Sequence, residues 1–203
     1  MWKYPIYGIS IRKDRKERFL KRLGTLRKYV KGIHGVNGIT LKPRQGCAPG
    51  CKLRRGQIGC FFSHRQIWRR MLAANHPIAC VFEDDVTFYA HFPQRVIQAI
   101  KYLNRHQPKW DVLYLGRNYK KRKNLKKVGP GLVVPGYSWG MFAYIISHRG
   151  ARKLLKHKHT QQLRVPCDVL LANLGLQGYL NNFALFPCAC GYLTLGSDTN
   201  RIR

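Results

Sequence analysis

Two hydrophobic periods alternate along the chain, and each predicts its own kind of element. Residues 6–11, Ile-Tyr-Gly-Ile-Ser-Ile, form a short apolar run that reads as a strand. The basic stretch 12–26 places Phe19, Leu20 and Leu23 on one face of a helix. A second strand is expected within 28–41, broken by Gly32, Gly35 and Gly38, and 42–55 is a loop rich in Pro, Gly, Cys and Lys/Arg. The clearest helix is 56–74, where Ile58, Phe61, Phe62, Ile67, Trp68, Met71 and Leu72 recur at near-helical spacing until Asn75-His76-Pro77 stops it. Ile78–Phe82 is apolar without interruption, as a buried parallel strand should be. A helix over 93–105 turns Val96, Ile97, Ile100 and Leu103 inward, and Asp111–Leu115 is another buried strand.

Beyond these, 118–127 is a basic loop and 138–146 is apolar and strand-like. Ser147 has the character of an N-cap for a helix reaching His157. A further helix starts near Cys167-Asp168, and the tail from Phe183 is irregular or strand-like. Strand and helix alternating in this way imply an α/β domain around a mostly parallel sheet flanked by helices. The 203 residues suit a single domain over 1–203.

Composition sharpens this picture. The chain is 45% hydrophobic and 12% aromatic, ample for a packed core, so general disorder is excluded. Its 38 Lys+Arg stand against 8 Asp+Glu, a formal charge of +30. A field of that sign draws in nucleic acid, an anionic membrane surface or a nucleotide diphosphate alike. No stretch has the basic start and long apolar run of a targeting segment, and none approaches a membrane span. The expectation is a cytoplasmic protein that could sit peripherally at an anionic membrane surface. Seven cysteines, an odd count in such a chain, argue against a disulfide framework.

The scarcity of acids makes their placement informative. Three of the eight are contiguous, Glu83-Asp84-Asp85, just beyond the apolar strand 78–82. Adjacent carboxylates repel and raise one another's pKa unless a cation or several donors offset them. Ligands in open α/β sheets bind beyond the carboxyl ends of strands, where such a cluster could hold a divalent metal bridging two phosphates. Side chains alternate along an extended strand, so Glu83 and Asp85 would share a side. Neighbouring Lys and Arg could instead neutralise the cluster.

Several motifs, in order, resemble glycosyltransferase family 25, the lipopolysaccharide and procollagen galactosyltransferase group. They are Ile9-Ser10-Ile11-Arg12-Lys13-Asp14-Arg15; Gly56-Gln57-Ile58-Gly59-Cys60-Phe61-Phe62-Ser63-His64 with Trp68; Val81-Phe82-Glu83-Asp84-Asp85-Val86; and Trp110-Asp111-Val112-Leu113-Tyr114-Leu115-Gly116. Ile146–Leu155, Pro166-Cys167-Asp168 and Ser197-Asp198 complete the series. Asn37 and Gln57 depart from the family, which often has Asp and Glu there.

The resemblance implies a GT-A type nucleotide-sugar transferase fold, a UDP-sugar donor (commonly UDP-galactose), a divalent metal such as manganese, and inversion at the anomeric carbon. It places the metal on Glu83, Asp85 and Asp198. The donor would lie against Ser10, Arg12, Arg15, Asn37, Ser63, His64 and Asp84. Asp168, at a helix start that keeps a carboxylate ionised, is the first choice of general base, and Asp111 the second. The sugar is galactose or glucose, and the acceptor a hydroxyl of a glycan, a lipid-linked sugar or a protein.

Three other readings compete. One is a basic nucleic-acid-binding protein, although no nucleic-acid motif is present and no specific nucleic acid is expected. Another is an inactive glycosyltransferase-like binding domain. The third is a zinc module in which Cys47, Cys51, Cys60 and His64 supply four ligands.

Overall fold

A computed structural model describes residues 1–119 and 125–194 of the chain. Its strands are β1 (Ile6–Ile9), β2 (Val30–Ile33), β3 (Ile78–Glu83), β4 (Val86–Phe88), β5 (Val112–Tyr119), β6 (Lys127–Gly129), β7 (Leu132–Val133), β8 (Ser138–Ser147), β9 (Asn182–Leu185) and β10 (Cys190–Tyr192). Its helices are α1 (Lys13–Leu23), α2 (Arg55–Ala73), α3 (Phe92–His106), α4 (His148–Lys156), α5 (Lys158–Gln161) and α6 (Cys167–Leu176). A 3-10 segment, Gly24–Tyr29, joins α1 to β2, and a second covers Gly38–Thr40.

Eight strands form one sheet in the order β2-β1-β3-β8-β5-β9-β7-β6. The α/β class and the flanking helices agree with the GT-A type expected. The sheet is mixed, however, rather than mostly parallel. β1 runs parallel to β2 and β3, and β5 parallel to β9, but β8 lies antiparallel between β3 and β5, and β7 is antiparallel to both β6 and β9. A strand buried on both faces is apolar whichever way it runs, so the run 138–147 carried no information on direction.

Side-chain alternation splits the interior into two layers. Cys80 and Phe82 of β3, with Leu113 and Leu115 of β5, pack against Phe19 and Leu23 of α1 and Val96, Ile100 and Leu103 of α3. Ala79 and Val81, with Val112 and Tyr114, pack against Ile58, Phe61, Ile67 and Trp68 of α2, Leu154 of α4 and Leu170 and Leu174 of α6. Ser147 caps α4 as expected, its Oγ accepting from the Gly150 amide at 3.0 Å. A two-stranded antiparallel ribbon of β4 and β10 stands beyond the carboxyl end of β3. It carries the chain out of the acidic cluster, and the Leu193 amide donates to the Asp85 carbonyl at 2.8 Å.

Candidate functional site

The alternation that divides the core also divides the acidic cluster. Phe82 points to the α1/α3 layer, so Glu83 points to the α2 layer, and the chain then turns. Glu83 and Asp85 both line a cleft of about 480 Å³ together with His64, Cys60, Gln57 and Asp168. The carboxyl end of β3, the first turns of α2, the start of α6, Tyr137 and residues 139–142 of β8 bound this cleft. Side-chain parity therefore predicted which two of the three acids share a side.

Asp84 faces the other way. It is buried, accepts a 2.6 Å hydrogen bond from Ser10 Oγ, and lies 3.6 Å from the buried guanidinium of Arg15. Ser10 and Arg15, expected at the donor, thus brace the turn that presents Glu83 and Asp85. Arg22 adds to this brace by donating to the backbone carbonyls of Asp84 and Val86. Arg12 lies outward, 3.2 Å from Asp14.

Asp85 is the least compensated of the three. Its Oδ1 is buried without a hydrogen-bond partner among the described residues. Burial, and then the charges of Glu83 and Asp84, push its carboxyl up to about 7. A carboxylate with an orphaned oxygen and two like-charged neighbours is short of positive charge, which suits a cation. Asp168 enters from the first turn of α6. Its Oδ2 accepts from the Gly140 amide at 3.0 Å and its Oδ1 from its own chain at Val169, 2.9 Å, so the carboxylate is fixed at the cleft wall.

The other expected residues are placed elsewhere. Asn37 caps the short 3-10 turn, its Oδ1 accepting from the Ile39 amide at 3.0 Å. Ser63 is buried, donates to the Gly59 carbonyl and accepts from the Val36 amide, each at 2.8 Å. Ser63 fastens the segment after β2 onto α2, and neither residue lines the cleft. The fit is tight enough that a Cβ on Gly59 would stand 2.6 Å from the Val36 carbonyl oxygen.

Asp111 is corrected outright as a candidate base. It precedes β5, level with the start of β3 through the pairings Val112–Ile146 and Ile146–Ala79. That is five strand residues, roughly 17 Å, from the acidic cluster. Asp111 is fully buried and held by Lys153 at 2.9 Å, Arg149 at 3.0 Å and the Asn181 amide at 2.9 Å. Its role is to pin α4 and the 179–182 turn to the sheet.

Asp198, and residues 120–124 of the expected basic loop, lie outside the described residues. The four-ligand zinc set does not assemble. Cys47 and Cys51 pair with each other, Sγ to Sγ 2.6 Å, in the loop bridged to Leu163, and burial pushes the Cys47 thiol up to about 12. Cys60 and His64 instead meet Glu83, with one potential ligand atom from each lying within 4.8 Å of the others. Burial, and then the charges of Glu83, Asp168 and Asp85, which share the cleft with it, raise the Cys60 thiol.

The sequence reading missed the aromatic rim. Tyr137, Trp139 and Tyr192 line the cleft with Asn118. The Tyr137 and Trp139 rings lie 6.2 Å apart and the Phe142 and Tyr192 rings 5.0 Å apart. The available signal was the alternation Tyr137-Ser138-Trp139, which puts both rings on one side and buries the serine between them.

Among the described residues, no helix is long and apolar enough to cross a membrane. Comparison with known proteins identifies the chain's relatives. Residues 4–171 match the model for glycosyltransferase family 25 (LPS biosynthesis protein). Procollagen galactosyltransferase 1-A of Xenopus laevis is 36% identical over 182 residues, covering 82% of this chain and 30% of that protein. Inactive glycosyltransferase 25 family member 3 of Homo sapiens is 32% identical over 182 residues, again covering 82% of this chain and 30% of the relative. The chain thus spans less than a third of the length of these two relatives. Among solved structures, that of A197 from STIV superposes with a TM-score of 0.49 at 15% identity, covering 93% of this chain and 83% of that one. With the family model matched over residues 4–171, most of its length, the chain belongs to glycosyltransferase family 25.

Proposed function

We propose that this chain is a glycosyltransferase domain that moves a hexose, galactose by the names of its relatives, from a UDP-sugar to an acceptor hydroxyl with inversion. The observation that carries this reading is the pairing of Glu83 with the uncompensated Asp85 at the mouth of β3, in one cleft with Asp168. Nothing in that pairing serves packing: an orphaned buried carboxylate oxygen costs stability unless a ligand completes it.

Glu83 and Asp85 are the residues that would hold a divalent cation, manganese by the family's habit. Such an ion neutralises the charge that develops on a departing diphosphate. The chain's own residues do the rest. Arg15, Ser10 and Asp84 keep the acidic turn fixed, so the two free carboxylates need not reorganise. The +30 field raises the local concentration of an anionic donor. Trp139 and Tyr137 offer faces on which a sugar or a base can lie. Asp168, oriented by the Gly140 and Val169 amides, takes the proton of the acceptor hydroxyl as it attacks the anomeric carbon. The acceptor is a hydroxyl on a glycan, a lipid-linked sugar or a protein.

The names of the relatives include both active and inactive members, so sequence similarity alone does not decide activity. A screen of UDP-sugars for manganese-dependent UDP release tests the reading. Release with UDP-galactose or UDP-glucose supports it. The absence of release with every donor and acceptor pool, from protein that is folded, overturns it in favour of an inactive domain.

A further inference from the structure

His64 could serve the cleft in two opposite ways. Its ring, with Cys60 and Glu83, forms a group in which three potential ligand atoms lie within 4.8 Å of one another, so a bare Nε2 could bind a cation directly. A protonated Nε2 would instead donate toward Glu83 and leave cation binding to the carboxylates. The buried surroundings of the ring decide between the two.

Behind His64 lie Tyr144 and Trp68, and all three side chains are fully buried. Trp68 Nε1 and Tyr144 Oη are 3.0 Å apart, and so are Tyr144 Oη and His64 Nδ1. An indole N–H can only donate, so Tyr144 Oη accepts from Trp68. The phenol then has one proton of its own to place, and the partner within reach is His64 Nδ1. Were Nδ1 protonated, Tyr144 would face two donors, and its own proton would be buried without an acceptor, which folded proteins avoid. Burial also holds the phenol in its protonated form. Nδ1 is therefore an acceptor, and the single proton of the neutral ring sits on Nε2. Nε2 lies 3.5 Å from Glu83 Oε1 and has no other hydrogen-bond partner among the described residues. That gap exceeds a full hydrogen bond. The Glu83 side chain is 30% exposed, free enough on the cleft side for a small rotation to close it.

We infer that Trp68, Tyr144 and His64 form a donor chain running from the core to the cleft, which fixes His64 as the Nε2–H tautomer and makes it a positioning residue for Glu83 rather than a metal ligand. The chain accounts for the burial of these three polar ring groups in the layer packed against α2. It also gives His64 a defined duty: one oxygen of Glu83 is engaged from behind, and the other stays directed at the cleft beside Asp85. This deepens the proposed cation site, on which only its metal-affinity arm depends; the tautomer stands or falls separately.

Long-range 1H–15N spectra of histidine-labelled wild-type protein test the tautomer directly, the His64 signals being identified by their loss in His64→Gln. The expected pattern is a protonated Nε2 and a bare Nδ1, unchanged by saturating Zn2+, a diamagnetic probe. A proton on Nδ1, or transfer of the Nε2 signal to a metal-bound position with Zn2+, overturns the inference.

Calorimetric titration with Mn2+ supplies the second arm. His64→Leu and Tyr144→Phe should each weaken affinity about tenfold, as loss of an outer hydrogen-bond partner does. His64→Gln, which keeps an N–H toward Glu83, should stay within about threefold of wild type on the same reasoning. Wild-type affinity in His64→Leu, or equal losses in the Gln and Leu variants, would also overturn it. If wild-type protein binds no Mn2+, the cation site fails, while the ring spectra still decide the tautomer.

Discussion

Replacing Asp85 by Asn should stabilise the metal-free protein at alkaline pH while destroying its response to manganese. The carboxyl moves from an ordinary 3.8 up to about 7 in the fold, driven first by burial and then by Glu83 and Asp84. At 1.36 kcal/mol per pH unit, holding it ionised costs about 4 kcal/mol at most, and about 2 if water reaches part of the side chain. Below pH 4 the folded and unfolded chains both carry the proton and there is no penalty. Between about 4 and 7 the unfolded chain has lost a proton that the folded chain retains, so stability falls as pH rises, and above 7 the full cost is present. Asp85→Asn has no such proton and escapes that loss.

Urea denaturation at pH 5 and pH 8, with and without Mn2+, measures all of this. Without metal at pH 8 the variant should be more stable by about 2–4 kcal/mol, and the advantage should shrink toward pH 5. Manganese at a hundred times its dissociation constant should stabilise the wild type by about 2.7 kcal/mol and leave the variant unchanged. A variant that is no more stable than wild type at pH 8, or an equal gain from manganese in both proteins, refutes the reasoning.

Other perturbations separate chemistry from scaffold. Asp168→Asn should lower kcat by about 10²- to 10⁴-fold with little change in melting temperature, the range expected for loss of a general base; near-wild-type turnover would remove Asp168 from the mechanism. Asp111→Ala should cost about 3 kcal/mol in chemical denaturation, because Lys153 and Arg149 lose a buried partner, yet the remaining folded protein should turn over normally. Gly59→Ala should destabilise by about 1–3 kcal/mol, since its Cβ meets backbone atoms of Val36 and Gly38 that cannot yield like a flexible side chain. Trp139→Ala should raise the KM for donor or acceptor more than it lowers kcat, as judged by steady-state UDP release.

The parts of the site that could be read from the sequence are those governed by local periodicity. Strand parity put Glu83 and Asp85 on one side, and the alternation of Phe82, Glu83 and Asp84 also accounts for Asp84 turning to Arg15. Ser147 was recognisable as a cap because its partner, Gly150, is three residues away. What escaped notice depends on residues distant in sequence. Asp111 looked like a candidate base until its partners proved to be Arg149 and Lys153 on a helix some forty residues later. The antiparallel run of β8 left no local trace, and β4, β6, β7 and β10 are two or three residues long, too short for any period to show. The zinc spacing misled because Cys51 folds back onto Cys47, while Cys60 and His64 are committed to the face of α2 that meets Glu83.

The central claim is that Glu83 and Asp85 together turn this cleft into a working transferase site. UDP release from UDP-galactose, measured with manganese and again with excess chelator, tests it most directly when wild type, Glu83→Gln, Asp85→Asn and Asp111→Asn are run side by side. Metal-dependent release by wild type and Asp111→Asn, and near-zero release by the other two, is the predicted result. Release that survives chelation, or that persists in Asp85→Asn, would contradict it.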